Sequence, residues 1–414
     1  MSSPARKLWD SISARLRPTR EDVLPDYAGG SILNLVQSIG QACGATTGEY
    51  APLRGLDARA LRVASNLVLL VVDGLGLRHL ERSGKATALS RYLRGAMTSV
   101  FPSTTASAIT TIMTGLAPQQ HALTGWHIYF SEIDRILASL PMTARDPGPL
   151  PEEVQPLAFR LFGHRPIYAD MQRRAHVLAP SHICASPFNR YHSEGAERHA
   201  YDGIAGMFQQ VTTLLKDGGA PLFIYAYYPQ LDALAHSFGI ASAEVAACLD
   251  LLDQAFSRFV ADIRGENTMV LATADHGFID SPVDRLIELE RHPDLAATLA
   301  RPLCGERRVA YCYVQPDRRA DFERYVTSRL SHAAVLHRSA DLMGDGWFGP
   351  GAPHPKLAGR IGDYALVMKA NWTIKDWLPG EKRHAMIGVH GGISAEEMLV
   401  PLIAVDAGRG LRDG

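Results

Sequence analysis

Three short, almost uninterrupted apolar runs limit what this 414-residue chain can become: Leu67–Val72, Pro221–Tyr227 and Thr268–Thr273. A strand covered by helices on both faces has this character, whereas a strand with one wet face alternates. Helical patterns lie between the runs. The clearest extends from about Ser242 to Ile263, with Val245, Cys248, Leu249, Leu252, Phe256, Val260 and Ile263 at spacings of three and four. Strands alternating with helices give an α/β fold with a largely parallel central sheet flanked by helices. Two stretches break the alternation. Residues 126–199 are rich in Pro, His and Arg, and residues 281–380 mix loops with short strand-like runs such as Arg308–Val314 and Tyr364–Met368. Both are expected to be insertions that cap the sheet and shape a pocket. Residues 1–60 are expected to form a helical extension packed on the core, leaving 61–414 as the main domain.

Composition excludes several classes. The formal net charge of −1 supplies no overall positive field for nucleic acid or an anionic membrane. Five scattered cysteines, Cys43, Cys184, Cys248, Cys304 and Cys312, are an odd number without a C-x-x-C pair. They are expected to be reduced, mostly buried thiols in a cytoplasmic protein. The first twenty residues are basic but have no apolar segment or cleavage site of a signal peptide. Leu8, Trp9, Ile12 and Leu16 would give an amphipathic helix, but its apolar face is short and Asp10 interrupts it, so a plain surface helix is expected. Leu67–Val72 is far too short to span a bilayer. No feature sets an oligomeric state.

Five segments carry chemistry. The first strand ends in Asp73-Gly74, where open α/β sheets place their ligands, although a turn aspartate explains that pair equally well on its own. In Phe101-Pro-Ser-Thr-Thr105, hydroxyls precede a helical stretch that runs to Thr114-Gly115. A hydroxyl at a helix start meets unpaired N–H groups and the positive end of the dipole, which suit an alkoxide and an incoming phosphate; a simple N-cap is the alternative. Asp232 and His236 follow the second strand at a spacing of four, on one helical face, so both can reach the same metal. The third strand ends in Asp275-His276-Gly277, and His390 stands in a Gly-rich loop before the apolar run Met398–Val405. Any one of these histidines alone is more often a satisfied core or surface residue. Together the carboxylates and imidazoles form a mixed oxygen and nitrogen set suited to two divalent ions, zinc with manganese as the alternative.

In order and spacing these segments resemble the type I phosphodiesterase/nucleotide pyrophosphatase branch of the alkaline phosphatase superfamily, from about Leu67 to Ile403. The resemblance implies an alkaline phosphatase-like catalytic domain with cap insertions. It also implies a metal-dependent hydrolase of small-molecule phosphate esters acting through a phospho-threonine. One ion would be held by Asp73, Thr105, Asp275 and His276, and the other by Asp232, His236 and His390. The family's nucleophile stands ten residues before the Gly of the Thr-Gly pair, which selects Thr105 over Ser103 and Thr104. One departure stands out: where the family usually has an Asn three residues after the nucleophile, contacting phosphate, this chain has Ala108.

Readings on the same core are a phosphomonoesterase or a phosphonate or sulfate-ester hydrolase. From another class, a catalytically silent metal-binding regulator would be expected to have lost Thr105 or His390, and both are present. No Lys or Arg lies between Thr98 and Gln120, so cationic help for a monoester dianion would have to come from an insertion, with Arg160, Arg190 and Arg360 as candidates.

Overall fold

The apolar run that begins at Asn66 can satisfy its backbone only inside a sheet, because every residue from Leu67 to Val72 is buried. The computed structural model describes residues 22–408, apart from 46, 47, 49, 85, 147, 218 and 220. The surface helix expected within the first twenty residues lies outside the described residues. The central sheet is built from β1 (Asn66–Val72), β2 (Leu93–Thr98), β3 (Arg174–Pro180), β4 (Glu197–Tyr201), β5 (Leu222–Tyr228), β6 (Thr268–Thr273) and β7 (Leu399–Asp406). Their order across the sheet is β2-β7-β6-β1-β5-β3-β4. The five strands from β6 to β4 run parallel, and β7 lies antiparallel between β6 and β2. This is the mixed α/β, largely parallel arrangement expected.

Four helices position the site: α1 (Ile32–Ala42), α2 (Thr105–Thr114), α3 (Gln230–Phe238) and α4 (Ala243–Asp262). The periodic stretch read from sequence as 242–263 is α4, capped by Ser242, whose hydroxyl accepts from the Val245 N–H. Residues 32–40 of α1 are all buried, and Leu33, Leu35, Val36 and Ile39 share one apolar core with Ile109, Ile112 and Met113 of α2. Helix α1 therefore forms part of the main core and backs the helix that begins at Thr105. All five cysteines are buried and free. Among the described residues, no helix is long and apolar enough to cross a membrane.

The stretches expected as caps divide differently. Residues 127–144 and 304–368 do leave the main sheet, and they join in one second sheet of seven strands. Strands Ala334–Arg338, Tyr364–Met368, Val309–Cys312 and Cys304–Gly305 come from the later segment; His127–Phe130, Arg135–Ala138 and Thr143–Ala144 come from the earlier one. The seam is the pair Gly305↔His127. Residues 174–201, by contrast, are not cap at all, since β3 and β4 complete the edge of the central sheet. Their sequence hides this, because Arg174, His176 and Pro180 break the apolar pattern of a strand whose residues from Ala175 to Pro180 are all buried.

One buried ion pair fastens the second sheet to the site. Arg308 stands at the start of Val309–Cys312, and its guanidinium donates to both oxygens of Glu397, at 3.0 and 2.9 Å. The two side chains are 1% and 0% exposed. Glu397 also accepts from the Gly392 N–H at 2.8 Å and from the Ser394 hydroxyl at 2.6 Å, so it holds the loop that follows His390. Removing one member of such a pair leaves an uncompensated charge in the interior, at a cost of about 3–5 kcal/mol. Glu397→Ala is therefore expected to lower unfolding stability by about that amount in urea titrations, while Arg308→Met combined with Glu397→Leu recovers most of the loss. Equal destabilisation by the single and the double variant would contradict this assignment.

Candidate active site

Parallel strands β1, β5 and β6 stop side by side, and the residues that follow them converge. Asp73 leaves β1, the turn after β5 leads into α3 with Asp232 and His236, and β6 runs out into Asp275 and His276. Gly74 adopts φ +76°, and a side chain there would collide with the Phe278 ring, so glycine lets the Asp73 turn nest against the β6 exit. Gly388 is required too: a Cβ would lie 2.4 Å from the Ala235 carbonyl. That close approach lets the Gly388 carbonyl accept from His236 Nδ1 at 2.9 Å and delivers His390 beside it.

All seven residues singled out from sequence meet here. The Thr105 hydroxyl, in the first turn of α2, is 3.1 Å from His276 Nε2. The same nitrogen is 3.3 Å from Asp73 Oδ1 and 3.3 Å from Asp275 Oδ2. Asp232 Oδ1 is 3.4 Å from His236 Nε2 and 3.8 Å from His390 Nε2. The His276 and His390 rings stack at 3.7 Å, which places the two triplets back to back. Asp73, Asp275 and His276 form one group with ligand atoms within 4.8 Å of each other, and Asp232, His236 and His390 form another. Of the neighbouring hydroxyls, Ser103 donates to the Gly392 carbonyl and Thr104 to Glu306, so Thr105 alone of the three faces the imidazole.

The donor set fits cations. Asp73 accepts from the Tyr227 hydroxyl through Oδ2, and Asp275 accepts from the Gly74 and His276 N–H groups through Oδ1. Asp73 Oδ1, Asp232 Oδ1 and Asp275 Oδ2 are buried and accept no hydrogen bond. Carboxylates bonded through one oxygen, with the other bare and aimed at a nitrogen cluster, are arranged as oriented metal ligands are. His236 and His276 direct their remaining ring nitrogens at the Gly388 and Gly277 carbonyls, which presents Nε2 to the site. Burial first, then the charges of Asp232 and Asp275, pushes the Asp73 carboxyl well above its usual range. Burial also raises Asp232, lowers His236 to about 4, and depresses His390, which is further lowered by His276 and His236. Acids driven toward neutrality beside imidazoles kept uncharged need added positive charge to ionise, which bound cations would supply.

The second sheet provides the wall of the pocket, a cavity of about 360 Å³ that Thr105, Asp232, His236 and His390 also line. Sequence reading missed its chief contributors. Glu306 accepts from the Thr104 hydroxyl at 2.6 Å and the Trp126 N–H at 2.7 Å, so it ties the cap to the residue preceding Thr105. Burial pushes its carboxyl up to about 7, against the lowering effect of those hydrogen bonds. Arg145, Arg307 and Lys375 are the cationic wall residues. Arg145 is paired with Asp376 and Glu381, and Lys375 with Glu381, whereas Arg307 lies near the Trp377 ring and donates to the His384 carbonyl. The available signal was the charged triplet Glu306-Arg307-Arg308 leading directly into a buried strand. None of the three arginines considered from sequence lines the pocket. Arg360 is buried against Glu132, Arg160 pairs with Glu152, and Arg190 donates to the Ala185 carbonyl.

The sequence model of the type I phosphodiesterase/nucleotide pyrophosphatase family matches residues 67–393. The chain belongs to this family. An uncharacterized pyrophosphatase/phosphodiesterase of Schizosaccharomyces pombe is 25% identical over 361 residues, covering 79% of this chain and 68% of that one. Among solved structures, murine ectonucleotide pyrophosphatase/phosphodiesterase 5 superposes with a TM-score of 0.58 at 15% identity, covering 81% of this chain and 87% of its own. The human counterpart gives 0.59 at 14% identity, with coverage of 82% and 87%. At these identities the structures establish a shared fold.

Ala108, the family departure, is fully buried in the main core with Ile109, Ile112 and Met113 and is not part of the pocket lining. A longer polar side chain there would meet packed apolar groups, where an unsatisfied amide costs about 1–3 kcal/mol. Ala108→Asn is thus expected to lower the melting temperature with no gain in turnover of any phosphate ester. A rise in kcat/KM with unchanged stability would show that position 108 reaches substrate.

Proposed function

We propose that this chain hydrolyses phosphodiesters, nucleotide pyrophosphates and related esters among them, by attack of the Thr105 hydroxyl oxygen on phosphorus. The observation that carries the reading is the Thr105 hydroxyl standing 3.1 Å from His276, beside one buried and one half-buried carboxylate–imidazole triplet, both with bare carboxylate oxygens. One of two divalent cations, zinc with manganese as the alternative, would be held by Asp73, Asp275, His276 and Thr105, the other by Asp232, His236 and His390. Such ions would favour the Thr105 alkoxide and neutralise charge on the phosphoryl and leaving oxygens. A solved structure of an inactive threonine-to-alanine variant of the murine relative in complex with AMP supports a nucleophilic threonine and a nucleotide-type ligand.

The chain's own groups set the course of the reaction. Thr105 sits at the N-terminal end of the ten-residue α2, whose unpaired N–H groups and dipole favour the oxygens of the transferred phosphoryl group. Glu306, through Thr104, restrains the backbone that presents the nucleophile. Attack forms the Thr105 O–P bond as the ester O–P bond breaks and the alcohol departs. Water then attacks the same phosphorus, releases the monoester and restores the Thr105 hydroxyl.

Thr105→Ala is expected to fold and to bind metal through the remaining ligands, yet to lose several orders of magnitude in kcat. Thr104→Ala should retain most of the rate. His236→Ala and His390→Ala should each lose metal from one site by elemental analysis. Full turnover by Thr105→Ala, or by protein stripped of metal with a chelator, would end the proposal.

The wall charges bear on diester against monoester. Arg145 and Lys375 are neutralised by Asp376 and Glu381, which leaves Arg307 as the cationic wall residue without a carboxylate salt bridge among the described residues. A monoester dianion therefore gains little beyond the cations themselves. For an aryl phosphodiester, kcat/KM is expected to exceed that for the matching monoester. A tenfold preference for the monoester, about 1.4 kcal/mol in transition-state binding, would favour the phosphomonoesterase reading and make Arg307 its phosphate ligand.

A further inference from the structure

We propose that His176, Glu197 and His199 form a separate cation site on the edge of the central sheet, suited to zinc or a similar ion that accepts nitrogen and oxygen ligands. Strand register brings the three together. His176 of β3 stands directly opposite Glu197 of the parallel edge strand β4, and Leu178 stands opposite His199. Side chains two apart on a strand share a face, and so do paired residues on neighbouring strands, so all three project from the same side of the sheet. The site is remote from the strand ends that carry Asp232 and His276. His176 is in register with Ile224, well before β5 ends at Tyr228.

The donors converge as ligands would. His176 Nδ1 and His199 Nε2 are 2.9 Å apart. At this separation the two nitrogens either share one proton or flank one ion, which at the roughly 2.0–2.1 Å usual for zinc and imidazole would sit to one side of the line between them. The Glu197 oxygens are 3.8 Å from His199 Nε2 and 3.9 Å from His176 Nδ1, and the three ligand atoms lie within 4.8 Å of one another. Arg174, two residues before His176 and so on the same face, donates to Glu197 Oε2 at 3.2 Å. That bond orients the carboxylate and leaves Oε1 for the ion, in the manner of an outer partner to a metal ligand. His176 is 1% exposed at its side chain, His199 21% and Glu197 55%, so the group is anchored on the sheet side and open to solvent, from which water completes the coordination. Burial, the neighbouring His199 and Arg174 lower the His176 imidazole, keeping it in the neutral form a metal requires. An ion here would join β4, which has a neighbour on one side only, to the strand that carries it.

The test compares full-length protein with His199→Gln and Glu197→Gln, each saturated with zinc, dialysed and analysed for metal per chain. Wild type is expected to hold one ion more than either variant and to show a larger zinc-dependent rise in melting temperature. Diester turnover at saturating zinc is expected to be the same in all three. Cobalt substitution should give a visible absorption component that both variants lack. Equal metal content in wild type and variants, with equal thermal response to zinc, would overturn the site. The difference between proteins is read separately from the active site: failure of the two-metal reading would lower the total in every sample, and His236→Ala would then lose nothing.

Discussion

Three carboxylates, Asp73, Asp232 and Asp275, are held within one buried site at the ends of neighbouring parallel strands, and this crowding governs the molecule. Burial and mutual repulsion oppose their joint ionisation, as the raised Asp73 and Asp232 carboxyls show. The surrounding structure keeps them together regardless. Tyr227 binds one oxygen of Asp73, the Gly74 amide binds one oxygen of Asp275, and α3 carries Asp232 and His236 into place. Such an arrangement persists in a folded chain when the surrounding packing over-determines it, and the apolar core around the seven-stranded sheet supplies that rigidity. The repulsion becomes an asset once cations enter, because the same electrostatics that oppose the empty constellation favour the filled one.

What could be read from the chain alone follows from how local each signal is. Asp73 and Asp275-His276 are visible because each directly follows a buried apolar run, and a strand end is a local property. Asp232 and His236 are visible because a helix aligns residues four apart. His390 has no such local mark. Its Gly-rich setting is explained only by Gly388 pressing on the Ala235 carbonyl, a contact between distant parts of the chain. The departure at Ala108 could not be weighed from sequence, because counting along a helix does not say which side faces substrate; its side chain lies in the core. The strand β3 escaped notice because His176 and the flanking Arg174 look polar, although His176 is buried in the sheet. Glu306 and Arg307 could be placed only by knowing that the two insertions pair through Gly305 and His127.

The division of labour between the two sheets follows from this geometry. Residues at the ends of the central sheet would provide the proposed nucleophile and cation ligands, and residues of the second sheet and its flanking segments line the far wall. Glu306 and Arg308, two apart in sequence, connect the halves in different ways. One reaches the nucleophile's turn through Thr104; the other anchors the loop of His390 through Glu397. A disturbance of that single turn of chain therefore reaches both halves of the chemistry.

The seam between Gly305 and His127 also bears on how the protein acquires its shape. The two segments are about 180 residues apart in sequence, and nothing local holds them near each other. The entropy of closing so long a loop opposes their pairing in an otherwise disordered chain. Once the central sheet has formed, β2 and β3 flank the earlier segment and β6 and β7 the later one, so the closure that remains is shorter. The wall of the pocket would then pair after the central sheet, and a chain caught before that point would present its site residues to water and passing ions before the pocket has a shape with which to choose a substrate.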